Sequence, residues 1–384
     1  MKSSWSLQGG PDSTTTSLRQ AWRELLVASG DPFMIVQSPE WFDLQREIAA
    51  GGSDAPTLAT RRNADRNLIG LVPLYSLEEP CQFPLMLRRV YRTQPKRMIH
   101  IPSGRLLLPP GDRWIEGLFN SLARRHSSGR IIKVSNVPVP SPVHSYIESS
   151  PGLRQRYGVF HVPGLTSIHT IPLTPTYDQF LAKYRSKKRY NLRRQFRQLE
   201  QRAKGGLELR RYETEDEVAE FHELWDRLLI ATGASLPTPA VLARREANHR
   251  RQARYGLFCS YILMDGPRPI AGFLGRRYDP VYMLDTTRHD PEYEASSPGS
   301  CLLHLVIEQL IRERSTNLIN LGYGSPNHEY RTTNVVLDYV SYWLIPKTWK
   351  TRLLQQGYAV FQRGLCTLKG AFPRQAIPDD EDLE

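Results

Sequence analysis

The sequence predicts an α+β protein made of two related halves, and three observations carry that expectation. Both halves run helices, then a meander of short strands, then a helix and a strand, although no residue-level repeat is visible. Between them lies one strongly basic helical segment. The stretch Val281 to Arg314, VYMLDTTRHDPEYEASSPGSCLLHLVIEQLIRER, joins an apolar strand, a polar loop and an amphipathic helix in one unit.

At 384 residues the chain is long enough for two domains of ordinary size. Hydrophobic residues at 40% and charged residues at 23% are globular values, and the 29 prolines point to many loops and strand ends. No apolar stretch approaches the roughly 18 to 20 residues of a membrane span, and the N-terminus lacks the apolar run of a secretory signal. A soluble, cytoplasmic protein is expected. Cys81, Cys259, Cys301 and Cys366 are scattered without CxxC or Cys/His spacing, so neither a disulfide framework nor a metal site is expected.

The elements follow from periodicity and punctuation. Residues 1–16 and the acidic tail 377–384 (IPDDEDLE) are polar and expected to be loose. The first unit, 17–170, reads as helices Leu18 to Ala28 and Pro39 to Ala49, then strands Thr57 to Arg61, Asn67 to Tyr75 and Leu85 to Tyr91. Helix Trp114 to Arg125 and strand Ile131 to Val134 complete it, before the Pro-rich NVPVPSPVHSY. A basic segment, 171–205, leads into the second unit, 206–376. That unit opens with strand Leu207 to Tyr212, a helix to Ile230 with Thr214 and Glu217 spaced as a capping box, and helix Ala240 to Arg254. Strands Leu257 to Met264, Ile270 to Arg276 and Val281 to Thr286 are separated by the turns MDGPRP and RYDP, so three adjacent antiparallel strands are predicted. Helix Pro298 to Arg314 and strands Leu318 to Leu321 and Val335 to Leu344 close the list.

Two of these features suit anions. From Lys183 to Arg211 twelve basic residues face two acidic ones, a net +10 within a chain whose total is +12. Leu192, Phe196, Leu199 and Ala203 form one apolar stripe on that helix, which docks by the stripe and presents Arg193, Arg194 and Arg197. At the second feature, Pro298 suits a first helical turn, Ser296 or Ser297 can cap it, and Gly299 lets a ligand approach the backbone. The amides of Gly299, Ser300, Cys301 and Leu302, at the positive end of the helix dipole, would suit a phosphate or pyrophosphate. An ordinary capped helix explains the same residues without a ligand. A meander feeding a strand, an anion-ready loop and a helix is the core plan of the GNAT acyltransferases, an analogy of fold.

Longer stretches carry a resemblance to a family. SPEWF at Ser38 to Phe42, LIGLVPLY at Leu68 to Tyr75, YDQFLAKYRSKKRYNLRRQFRQLEQ at Tyr177 to Gln201, PIAGFLGRRYDPVYMLDTTRHDPEYEASSPGSCLL at Pro269 to Leu303 and INLGYGSPNHEYR at Ile319 to Arg331 together resemble the GNAT-like acetyltransferases of the CelD/BcsL type. That group is associated with cellulose and exopolysaccharide biosynthesis and is related to the Fem peptidyltransferases. The likeness spans roughly residues 18 to 350. It implies tandem GNAT-like (acyl-CoA N-acyltransferase) domains, mixed sheets flanked by helices and joined by a basic linker helix. It also implies acetyl-CoA or another acyl-CoA as co-substrate, no metal, and a small-molecule or glycan acceptor. Two departures stand out: Asn320 occupies a position that is usually acidic, and Tyr330-Arg331 follows Gly322 at a greater distance than the family's Tyr-Lys.

Acyl transfer from a thioester needs a base for the acceptor and a proton for the leaving thiolate. Asp285, His289, His328 and Glu329 are the candidate bases, and Tyr330, beside His328 and Glu329, is the candidate acid. Cys301 admits two readings, a thiol activated at a helix start or a buried residue opening an apolar helix. Arg276, Arg277 and Arg288 bracket the strand and could pair with CoA phosphates or an acidic glycan; Arg288 is the expected cofactor contact. For the basic helix three partners stay open: an anionic acceptor or CoA, tRNA as in the Fem relatives, and anionic membrane lipid. The alternative functions are a Fem-like aminoacyl-tRNA-dependent transferase and a non-catalytic GNAT-fold binding module.

Overall fold

A computed structural model describes residues 5–8, 15–49, 55–86, 89–109, 111–125, 130–164, 166–323 and 335–348. The first half begins with β1 (Ser6–Gln8), α1 (Thr16–Ser29) and α2 (Pro39–Ile48). Thr15 caps α1 by accepting the Leu18 amide, Gly30 ends it at φ 58°, and Ser38 caps α2 with Pro39 in its first turn. The expected loose N-terminus does not extend to Trp5–Gln8, because Trp5 is buried and β1 pairs with the next strand. β2 (Thr57–Arg62), β3 (Leu68–Glu79), the hairpin β4 (Gln82–Met86) and β5 (Arg89–Arg92), and β6 (Lys96–Ile101) lead to α3 (Asp112–Arg125) and β7 (Ile131–Pro138). The Pro-rich stretch then gives α4 (Pro142–Ser149), α5 (Pro151–Arg156), β8 (Tyr157–His161) and β9 (Ser167–Pro172).

The basic segment is α6 (Tyr177–Ala182) and α7 (Ser186–Arg202). After β10 (Leu207–Tyr212) come α8 (Val218–Ala231) and α9 (Pro239–Arg254), then the meander β11 (Ser260–Asp265), β12 (Arg268–Tyr278) and β13 (Val281–His289). The meander is antiparallel throughout, as predicted. Glu217 accepts the Thr214 amide at 2.9 Å, half of the expected capping box, although α8 starts only after it. A 3₁₀ turn (Pro291–Ser296) precedes α10 (Pro298–Glu313), and β14 (Leu318–Tyr323) and β15 (Val335–Pro346) end the described chain.

Among the described residues thirteen strands form one mixed sheet, in the order β1-β2-β3-β6-β7-β15-β9-β14-β13-β12-β11-β10 with β8 on β15. The halves exchange strands. β9, which ends the first half, pairs with β14 of the second, while β15 pairs with β7, β8 and β9. Ile171 of β9 accordingly lies in the second half's core with α10, and Tyr342 and Leu344 of β15 lie in the first half's. In the second half α10 covers one face of the meander, where Ala271, Phe273 and Leu284 meet Leu302 and Val306, and α8 covers the other through Trp225 and Leu228. No described helix is long and apolar enough to cross a membrane.

Candidate active site

β13 and β14 run parallel, but their pairing stops after Met283↔Asn320. Beyond that point β13 is carried by β12 alone, with one extra residue, Asp285, bulged out between Leu284 and Thr286. β14 meanwhile turns toward β9, through Gly322 at φ 74°. The two strands therefore open as a V. From Leu284 onward the β13 edge facing β14 has no strand partner among the described residues, and such an edge pairs with an extended, amide-bearing chain. Asn320 sits at the vertex, fully buried, donating to the Pro32 carbonyl at 2.9 Å and accepting the Gly322 amide at 2.8 Å. Its place at the vertex accounts for an amide where the resemblance expects an acid: it ties the V to the first half.

The α10 turn lies at the open end. Ser297 is left-handed at φ 50° and occupies the cap position, but its hydroxyl makes no cap bond. Its carbonyl takes the Ser300 and Cys301 amides at 3.0 and 3.1 Å, so of the four amides expected to face an anion these two are turned inward. Gly299's amide has no acceptor among the described residues, and a Cβ built there would meet nothing within 4 Å. Pro298, Cys301 and Leu302 are buried.

The basic helix comes to this turn. Leu192 and Leu199 are buried, Phe196 partly so, and Gln195 donates to the Ser297 hydroxyl at 3.1 Å. Arg202 lies 5.2 Å from the Tyr293 ring of the 3₁₀ turn, and Arg193, Arg194 and Arg197 are exposed, as the stripe predicts. Beneath, Tyr177 and Tyr184 hydroxyls bond His304 Nδ1 and Nε2 at 3.0 and 3.3 Å, which fixes the segment against α10. Burial pushes that imidazole down to about 4, so it is neutral and uses one nitrogen as donor and one as acceptor.

Several predicted residues lie elsewhere. Both oxygens of Asp285 are taken by Arg276, at 2.8 and 2.6 Å, and that guanidinium sits 5.1 Å from the Trp41 ring of α2. The pair uses one lone pair on each oxygen and holds the carboxylate toward Arg276, which counts against it as the base. Arg288 stacks on Trp225 at 4.7 Å, on the α8 face of the sheet, away from the α10 turn; the spacing that put it near the loop says nothing about which face it takes. Arg277 pairs with Glu213, Asp279 and Glu313. Burial raises the Cys301 thiol to about 12 and its Sγ lies 3.8 Å from the Ser296 carbonyl, so it is a core residue and not a nucleophile. His289 is exposed at the end of β13. His328, Glu329 and Tyr330 lie outside the described residues.

On the face away from α10 a cavity of about 510 Å³ opens between α2, β6, β7 and β15, with Tyr323 of β14 in its wall. His100 Nε2 is 2.9 Å from the Ser135 hydroxyl, and burial with the nearby Lys133 pushes this imidazole down to about 3. Lys133 pairs with Glu79 at 2.7 Å. Tyr323 donates to Asn136 Oδ1 at 2.6 Å and stacks on Phe33. None of these residues was predicted as functional. The available signal was the run RMIHI between Pro95 and Pro102, a strand bounded by breakers.

Residues 186–331 match the family model described as an acetyltransferase (GNAT) domain. Among solved structures, that of FemX is 10% identical, with 91% of this chain and 100% of that one covered at a TM-score of 0.61. A conserved protein of unknown function from Bacteroides thetaiotaomicron VPI-5482 is also 10% identical, covering 88% and 99%, at 0.52. A tandem GNAT protein from the clavulanic acid biosynthesis pathway is 12% identical over 80% and 94%, at 0.43. No curated protein matches the chain in sequence. Residues 186–331 thus match a GNAT domain, set in an α+β fold of mixed sheet flanked by helices.

Proposed function

We propose that the chain moves an acyl group, acetyl in the simplest case, from acyl-CoA to a hydroxyl or amine acceptor by direct attack in a ternary complex. The observation that carries this is the V between β13 and β14 opening beside the Gly299 turn, with the basic α7 against it. The residues present fit the co-substrate. The open space over Gly299 and the arginines of α7 suit its phosphates, and the free edge of β13 from Leu284 suits its amides. Acyl-CoA supplies a thioester, a carbonyl already activated for attack. The chain's part is to hold that carbonyl, to take the acceptor's proton at His328 or Glu329, and to give one back from Tyr330, roles read from these residue types and their adjacency in the sequence. The second half (206–376) then serves the co-substrate and the first (17–170) the acceptor, which a cytoplasmic exopolysaccharide-linked role of the CelD/BcsL type would make a glycan or its precursor.

A second reading, aminoacyl-tRNA-dependent transfer of the Fem kind, is favoured by the exposure of Arg193, Arg194 and Arg197; the same face would also suit an anionic membrane. Offering acetyl-CoA and a charged tRNA to the full chain at low salt separates the readings. Acetyl-CoA binding without tRNA binding supports the first; tRNA binding with a steep salt slope and no acetyl-CoA binding replaces it.

A further inference from the structure

The cavity between α2 and the β6–β7–β15 surface has walls whose charges cancel. Lys133 is held by Glu79 at 2.7 Å, and the Arg276–Asp285 pair lies against Trp41 as a closed bidentate unit. His100 is neutral at any physiological pH. What remains is neutral and of two kinds: aromatic rings, Trp41, Tyr75, Tyr323 and Tyr339, and hydrogen-bonding groups such as Ser135 and Asn136. A buried phosphate or carboxylate is held by an unpaired cation or by amides at a helix start, and an ammonium by an unpaired carboxylate; no unpaired charge and no helix start aimed into the cavity is found among its described lining residues. Aromatic faces beside several neutral donors and acceptors suit a ligand with apolar ring faces and hydroxyl edges. Tyr323 links the cavity to the V, since it ends the strand that parts from β13.

We infer that this cavity is the acceptor subsite and takes an uncharged sugar residue, with the His100–Ser135 pair reading a ring hydroxyl and Trp41 and Tyr323 walling the ring. This rests on the acyl-transfer reading for its place in a reaction, while its ligand class rests on the cavity alone. With His100 Nε2 accepting the Ser135 proton, the Ser135 oxygen keeps lone pairs for a sugar hydroxyl. The cavity's volume is in the range that encloses small ligands.

The test is ligand-observed NMR on the full chain with methyl glucoside and cellobiose, against glucuronate, glucose 6-phosphate and glucosamine as charged analogues. The uncharged sugars are expected to bind, the charged ones at least about fivefold more weakly. Ser135→Ala and His100→Asn are expected to weaken sugar binding by about fivefold or more while acetyl-CoA affinity and the unfolding temperature hold. Sugar binding without acetyl-CoA binding would sink the transfer reading and leave the ligand class standing. Acetyl-CoA binding with no response to either uncharged sugar would overturn the inference. So would equal or tighter binding of a charged analogue, or sugar binding unchanged in both variants.

Discussion

Cys301 and Tyr330 show how differently single residues are constrained. Cys301 lies in the α10 core with its thiol raised to about 12, so Cys301→Ala should cost roughly 1–2 kcal/mol of stability and leave turnover by the folded protein near wild type. Loss of all turnover in a variant that still unfolds cooperatively would restore a covalent role. Tyr330 is assigned to protonating the departing thiolate, a need that arises only as the thioester breaks. Tyr330→Phe should therefore lower kcat by about tenfold or more with little change in the acetyl-CoA dissociation constant. Wild-type turnover in that variant would remove it from the mechanism. Asp285 was one of four candidate bases in sequence, and what counts against it is its pairing with Arg276 across a bulged strand pair, a relation nine positions long that no local pattern encodes.

The long helices with an apolar stripe were legible, and several short elements were not. α7 docks by Leu192, Phe196 and Leu199 and shows its arginines, because a 3.6-residue period alone decides which face is apolar. Reversing Arg193, Arg194 and Arg197 to Glu should leave the fold intact and weaken acetyl-CoA capture by several-fold, an effect that moderate salt should largely reproduce in the wild type. Affinity that is indifferent to both changes would detach the helix from the site. β6, β8 and β9 went unrecognised: each is short, and two of them find their partners far along the chain, β9 on β14 and β8 on β15. The cavity stayed hidden for the same reason, its walls coming from α2, β3, β6, β7, β14 and β15. Among the described residues the first half shows no open V of its own. Gly104 donates to the Asn136 carbonyl at 3.0 Å, and a Cβ on it would lie 2.5 Å from the Val137 backbone, so the strands after β6 and at the end of β7 are closed together.

Across the whole molecule the exchange of β9 and β15 joins both cores, and the buried imidazoles set its acid response. His100, His222, His249 and His304 are all pushed down by burial, to about 3, 4, 3 and 4. Unfolded, each takes up a proton near pH 6.5, which the folded form refuses until about pH 4. The unfolded state thus binds more protons in that window, and stability should fall as pH drops from 6.5 toward 4. Asp31, raised by burial, works in the opposite sense and offsets part of the loss. Urea midpoints at pH 7, 6 and 5 should decline in that order; a flat series would mean the imidazoles are not buried as described.

The account's central claim is that acyl-CoA lies in the β13–β14 V with its phosphates at the Gly299 turn. Because a side chain there enters open space, and a carboxylate near a helix start does not harm the helix, Gly299→Asp should fold normally and repel the pyrophosphate. Calorimetric titration of the full chain with acetyl-CoA should give one molecule per chain, consistent with a single open V, and an affinity at least about tenfold weaker in Gly299→Asp. Two molecules per chain, or an affinity untouched by the substitution, would contradict it.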